Sequence, residues 1–243
     1  MCWNMEASFA VAALGMGGTA LLVKRKEHPF LYLTVFYFAL MELLQAFTYL
    51  YIGQCASHEN QILTLLGAYH ISFQPIFVVL ISLYFVPEGF RQRVQYPAIF
   101  FAACCSVVQL VGYYPFQWAN HATDAMIYGK DLCANHGLWH ISWYVPTFDS
   151  MSSVIGYSPR VSTYMLGTIV IPLLLGSWRF TAVNYTFGFL IAYLTTSSQN
   201  EAAAVWCLLS FAYLMICSET HIRNLIHVKT WYGLPYPWTK TVL

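Results

Sequence analysis

From Leu31 to Ile52 the chain reads LYLTVFYFALMELLQAFTYLYI. Apart from Thr34, Glu42, Gln45 and Thr48, every side chain in the run is apolar or aromatic. About 20 such residues cross the hydrocarbon of a bilayer, and a helix does so because it pairs all its backbone groups internally. The stretch therefore predicts a transmembrane helix with one carboxyl group near its middle.

Comparable runs lie at 7–23, 62–86, 96–113, 162–178, 181–199 and 202–218. The expected fold is an all-α integral membrane protein, a seven-transmembrane helix bundle forming a single domain over 1–243. Composition points the same way. The chain is 58% hydrophobic and only 9% charged, against roughly 25% charged residues in a soluble domain. Aromatic residues make up 18%, and many Trp and Tyr sit near the ends of the apolar runs, where amphipathic rings favour the lipid–water interface. No basic n-region precedes 7–23, which argues against a cleaved signal peptide. The net charge of +1 and the absence of a basic face give no support to a nucleic-acid partner. The expected partner is the lipid bilayer of a plasma or inner membrane, with other membrane subunits left open.

Lys and Arg set the expected orientation, because cytoplasmic loops carry an excess of both. Lys24, Arg25, Lys26, Arg91, Arg93, Arg179, Arg223, Lys229 and Lys240 fall on one side of a seven-span chain. Only Lys130 and Arg160 fall on the other. This places the N-terminus outside and the C-terminus in the cytoplasm. Cys2, Cys55 and Cys133 then share the outer side, where disulfides persist; a bridge between two of them is expected, and all three pairings stay open. Cys104, Cys105, Cys207 and Cys217 fall within spans and read as small packing residues. Gly15, Gly17 and Gly18 suit the first span to close helix packing.

The longest stretch between spans, about 115–161, carries Trp118, Trp139, Trp143, Tyr144 and Phe148. It is too apolar for a disordered loop and too long for a structureless one, so a folded outer cap is expected. Tyr69-His70-Ile71-Ser72-Phe73 resembles Trp139-His140-Ile141-Ser142-Trp143, but the flanks do not match and no duplication is inferred.

Ionisable groups inside a bilayer cost roughly 2.5–3.5 kcal/mol each on insertion scales, so they need a partner or a purpose. Glu42 in the second span and His70 in the third are the two candidates. At about 1.5 Å rise per residue, they sit roughly 15 Å and 12 Å below the outer ends of their spans, nearly level with each other. Gln45 lies three residues from Glu42 and Gln74 four from His70, so each helix presents a polar pair on one face. Glu42, Gln45, His70, Ser72 and Gln74 are thus expected to line an outward-opening pocket. Glu42 and His70 would be acid–base groups, with Gln45, Ser72 and Gln74 contacting the substrate. A structural Glu–His hydrogen bond is the competing reading.

Carboxylate plus imidazole also suits a divalent metal such as zinc, iron or copper. Glu42 and His70 then need a third ligand, and Glu6, His58, His121, His136, His140 and Glu201 all lie on the outer side. His140 is the preferred choice. His136 and His140 would share a face if the cap is helical there. Glu219, His221 and His227 follow the last span, where the run reads better as the end of a helix at the headgroups than as a ligand set. A retinal lysine is missing from the last span, and a bis-histidine haem lacks a second intramembrane histidine. Nucleotide and esterase motifs are absent.

Cys2-Trp3-Asn4-Met5-Glu6, Met41-Glu42-Leu43-Leu44-Gln45 and His70-Ile71-Ser72-Phe73-Gln74-Pro75 together resemble an uncharacterised family of multi-span membrane proteins that open with a Cys-Trp motif. That resemblance implies the membrane fold and emphasises Glu42 and His70; it implies no activity. The plan also loosely resembles the seven-span hydrolases of the alkaline ceramidase and adiponectin-receptor type, which carry zinc on three histidines. Here the matching histidines would be His70, His221 and His227, without the Ser-x-x-x-His signature of that group.

The reading that follows is a metal-assisted membrane-embedded enzyme acting on a lipid or apolar substrate. A non-catalytic subunit or scaffold of a larger complex is the alternative, and a proton-linked carrier a third.

Overall fold

The computed structural model describes residues 4–114, 129, 131–148, 160–217 and 219–238. Cys2, His121, Lys130 and Lys240 lie outside the described residues, as does the side chain of Cys217. Four helices come first: α1 Met5–Lys24, α2 Pro29–Leu50, α3 His58–Tyr84 and α4 Glu88–Val111. Each is long and apolar enough to cross a membrane.

Local signals explain the boundaries. Asn4 and Ser57 cap α1 and α3 through their side chains, and Pro29 starts α2 where its missing N–H costs nothing. The fourth run was expected over 96–113, but α4 begins at Glu88. Two polar opening turns, with Glu88, Arg91 and Arg93, extend it beyond the apolar stretch, which hydropathy alone does not register.

After α4 comes a two-stranded antiparallel hairpin, β1 Cys133–His136 and β2 Ile141–Tyr144, with Cys133 opposite Tyr144 and His136 opposite Ile141. The chain is helical again over 160–174 (α5), where Leu166–Val170 forms a π-helical segment. It is helical over 178–195 (α6), with a second π segment at Tyr185–Leu190. Helix α7, Gln199–Cys217, and the short α8, Thr220–Ile226, follow. Each apolar run picked out in the sequence thus contains helix.

Helix α2 packs against α1, α3 and α7. Gly15 is needed there: a Cβ would stand 2.5 Å from the Cβ of Ala39 and 2.6 Å from the Phe211 ring. Gly17 meets nothing within 4 Å, so only part of the expected glycine surface is used in packing. Gly167, in the π segment of α5, similarly lets that helix close on Pro75 of α3, whose Cβ a new Cβ would approach to 2.5 Å.

At one end of the bundle Phe85, Phe180, Leu214 and Ile226 share a buried cluster. Arg223 of α8 pairs with Glu27 at 2.9 Å beneath it, and Val228 donates its N–H to the Phe85 carbonyl at 3.0 Å. At the opposite end the hairpin packs on α3 and α7, burying Ala134, Ile141 and Trp143 against Met41, Ala204 and Cys207. Three anchors hold it. Cys55 and Cys133 form a disulfide. Asn60 grips the Ala134 backbone in both directions, donating to its carbonyl and accepting from its N–H, each at 2.9 Å. Glu201 of α7 accepts from the hairpin turn, as described below.

Candidate functional site

The face of α2 that carries Glu42 is buried along its length, with Thr34, Phe38, Met41, Gln45 and Thr48 buried on it too. Glu42 and Gln45 are both 0% exposed. Both carboxyl oxygens of Glu42 and both amide atoms of Gln45 lack a hydrogen-bond partner among the described residues. Unpaired buried polar atoms are rare because each forfeits its hydration without replacement. Four of them within one turn of one helix are the most anomalous feature of the described bundle.

His70 does not pair with Glu42. Its Nε2 is buried and has no partner among the described residues, while its ring stacks on Tyr37 at 3.9 Å between centroids. Tyr37 stacks on Phe77 on its other side at 3.7 Å and donates its hydroxyl proton to the His70 carbonyl. The Glu–His hydrogen bond of the competing structural reading is therefore not formed among the described residues. The reason is lateral. Equal height on neighbouring helices does not fix which way a side chain points, and an aromatic residue of α2 occupies the space beside the imidazole.

The other two expected lining residues are already engaged. Ser72 donates back to the Ala68 carbonyl of its own helix at 2.8 Å. Gln74 bridges three helices: its amide donates to the Cys207 Sγ of α7 at 3.0 Å, and its carbonyl oxygen accepts from the Tyr164 hydroxyl of α5. Cys207 also lies within electrostatic reach of Glu42. Cys207 and Tyr164 are thus part of this polar core, which the sequence reading did not see. An isolated Cys or Tyr within an apolar run carries no signal of its own. Of the other cysteines in the apolar runs, Cys105 is buried while Cys104 is exposed, so Cys104 is not the packing residue expected.

His140 sits at the hairpin turn, 1% exposed. The Ile141 N–H donates to its Nδ1 at 2.8 Å, and the Tyr49 hydroxyl lies 3.2 Å from the same nitrogen. With Nδ1 accepting, the ring proton is assigned to Nε2. Burial drives the imidazole pKa down to about 3, against a smaller opposing pull from Glu201.

Glu201, in the first turn of α7 ahead of the 202–218 run, is also buried. Its Oε1 accepts from the Trp139 and His140 N–H groups at 2.5 and 2.6 Å, and its Oε2 from the Thr196 hydroxyl at 2.7 Å. Burial by itself raises the Glu201 pKa, but these donors hold it below the usual carboxylate range. His136 is exposed. A hairpin, not a helix, carries it and His140, so the expected shared helical face does not exist.

Among the described residues, no group of three or more His, Cys, Asp and Glu is placed to hold a metal ion. Glu42, His70 and His140 thus do not form the three-ligand set that zinc, iron or copper would need. Glu6 lies exposed in the first turn of α1 and His58 exposed in that of α3. At the other end, Glu219 caps α8 by accepting from the His221 and Ile222 N–H groups at 2.7 and 3.3 Å. It starts a helix instead of ending one. His227 packs against Tyr84 and Phe85, so His70, His221 and His227 do not converge either.

Two cavities open beside the hairpin. One of about 150 Å³ lies between His140, Trp139 and apolar residues of α6 and α7. The other, about 410 Å³, is bounded by Ala68 and Ile71 of α3, Trp143 and Val145 of the hairpin, and Gln199, Asn200 and Ala203 of α7. Glu42, Gln45, His70, Ser72 and Gln74 line neither of them.

Comparison with known families gives one match: residues 6–227 fit the model of a family of unknown function, DUF5765. The match covers most of the chain, which therefore belongs to that family. No curated protein and no solved structure matches significantly.

Proposed function

We propose that this member of the DUF5765 family is a seven-span membrane protein whose intramembrane Glu42 is the acid–base centre of an enzyme acting on a lipid or apolar substrate. Four helices of spanning length and the helical stretches within the three later apolar runs support the count. The Lys and Arg distribution and the Cys55–Cys133 disulfide support an outer location for the hairpin, since disulfides persist in oxidising compartments. The hairpin would then be the outer cap, with both cavities in the outer half of the bundle. A substrate would enter there.

The observation that carries the reading is the buried Glu42 carboxyl with both oxygens unpartnered beside an unpartnered Gln45. A structural carboxyl is held by donors, as Glu201 is by three. One held by none has a cost without a packing return, and such groups mark functional sites in membrane proteins. Substrate contact with Glu42 requires the bundle to open between α2, α3 and α7, since neither cavity reaches it. A scaffold role is the second reading, favoured by the Gln74 bridge to Cys207 and Tyr164, which ties three helices together without an evident need for chemistry.

Lipid mass spectrometry on nanodiscs holding a native lipid extract tests the proposal. Wild-type protein should convert at least one lipid species that Glu42→Gln leaves unchanged. Identical lipid profiles with wild type, variant and empty discs would overturn the enzyme reading in favour of the scaffold.

A further inference from the structure

We propose that Gln45 and Tyr49 line a water-assisted proton path connecting Glu42 to the hairpin end of the bundle, with His140 positioning the Tyr49 hydroxyl at its mouth. This rests on the reading of Glu42 as a group that exchanges a proton. Positions 42, 45 and 49 are spaced i, i+3, i+7 and so share one face of α2. Tyr49 lies about 10 Å further along the axis than Glu42 at 1.5 Å per residue. It sits in the last turn of α2 and is half-buried.

The two ends are marked independently. At the inner end the Glu42 and Gln45 polar atoms are buried without partners. These four atoms are the donors and acceptors that a water entering along this face of α2 would meet, so a water taken up for the transfer has partners at the inner end. At the mouth, His140 Nδ1 accepts from Ile141 N–H at 2.8 Å and faces the Tyr49 hydroxyl at 3.2 Å. The Tyr49 proton is thereby drawn toward His140, leaving the phenol oxygen to accept from a water on the Glu42 side. Tyr49 lies within electrostatic reach of both Glu42 and Glu201. Glu201 in turn fixes the turn that carries His140 through the His140 N–H.

Other titratable groups near the inner end are Cys207 of α7, which interacts electrostatically with Glu42, and Tyr37 with the stacked His70. The Cys207 Sγ accepts from Gln74, and the Tyr37 hydroxyl is committed to the His70 carbonyl. His70 Nε2 is unpartnered as well, but it belongs to α3 and not to the face of α2 that carries Glu42, Gln45 and Tyr49. Along the Gln45–Tyr49 face, each transfer breaks one O–H bond as the next forms. A proton leaves the Glu42 carboxyl for the adjoining water and a carboxylate remains. Each water gives up one proton as it gains one, and the last water releases one to the medium. The Tyr49 hydroxyl keeps its own proton, held toward His140, while its oxygen orients that last water. No oxidant or reductant is required.

Hydrogen–deuterium exchange of the Glu42 carboxyl, followed by its infrared C=O stretch in lipid-reconstituted protein, tests the path. The Glu42 band is the one lost in Glu42→Gln. Tyr49→Phe and Gln45→Leu should each retain the band and slow its exchange at least tenfold. His140→Asn should slow it by a smaller factor. An unchanged rate in Tyr49→Phe and Gln45→Leu would overturn the path while leaving the Glu42 reading intact. Absence of any Glu42 band across the accessible pH range would overturn both. Gln45→Leu removes no described hydrogen bond, so it keeps the test available if Tyr49→Phe folds poorly.

Discussion

Replacing Glu42 by Met should make the protein more stable, not less. Glu42 is fully buried, and neither carboxyl oxygen has a hydrogen-bond partner among the described residues. Such a group forfeits its hydration for nothing, a cost of about 1–3 kcal/mol in protein mutational data. Met has nearly the same length and reach and carries no polar oxygen, so it fills the space without leaving a cavity. The expected gain is about 1–3 kcal/mol, which for a chain of this size is roughly 2–4 °C in Tm per kcal/mol. Thermal unfolding in a mild detergent, followed by tryptophan fluorescence, reads it directly. Gln74→Met is the contrasting control. It removes the bonds to Cys207 and Tyr164 and should lower stability by about 1–3 kcal/mol. If Glu42→Met instead destabilises the protein by 1 kcal/mol or more, the carboxyl has a structural partner, and the inference from unpaired burial to function fails. Stabilisation together with lost activity would be the expected trade between stability and function.

Further outcomes follow from the hairpin end. With the His140 pKa pushed down to about 3 by burial, the folded protein binds fewer protons than the unfolded chain between that value and 6.5. Stability should fall as pH drops through this window, by up to about 1.4 kcal/mol per pH unit. The lowered Glu201 adds a loss of the same sign below the usual carboxylate range, and His140→Asn should flatten the upper part of the profile. Removing the disulfide by Cys55→Ser with Cys133→Ser opens a loop of sequence separation 78, worth at most about 4.5 kcal/mol by chain entropy. In sealed right-side-out vesicles, a membrane-impermeant maleimide should label Cys55 and Cys133 only after reduction; labelling only after the vesicles are broken would reverse the proposed orientation. Asn60→Ala should cost about 2–3 kcal/mol through its lost bonds to Tyr51 and Ala134, and speed amide exchange at Ala134.

The helices were legible because a bilayer imposes one rule on every crossing segment, a long apolar run, and that rule leaves its mark residue by residue. What hydropathy cannot carry is azimuth. Glu42 and His70 stood out in the sequence as ionisable groups within apolar runs, and their position along each helix follows from counting residues. Whether they face one another depends on helix rotation, and Tyr37 stacked on His70 decides that against pairing. The same limit explains Gln74. Its partners Cys207 and Tyr164 lie 133 and 90 residues away in the chain, and each alone reads as an ordinary apolar-run residue.

The hairpin was illegible for a different reason. His136 and His140 have helical spacing, but Gly137 must admit a close approach that no larger residue allows: a Cβ there would meet the His140 carbonyl at 2.5 Å and the Glu201 carboxyl at 2.6 Å. A turn held by a distant carboxylate has no periodicity to detect. Glu201 shows the difference between the two buried acids most clearly. Its burial is explained by its donors, Trp139, His140 and Thr196 among them, whereas in the sequence it stood only among six spare ligands. Glu42 was singled out from sequence for being expensive, and in the folded chain nothing described offsets that expense. That contrast with Glu201, a carboxyl held by donors against one held by none among the described residues, is what the proposed role of Glu42 rests on.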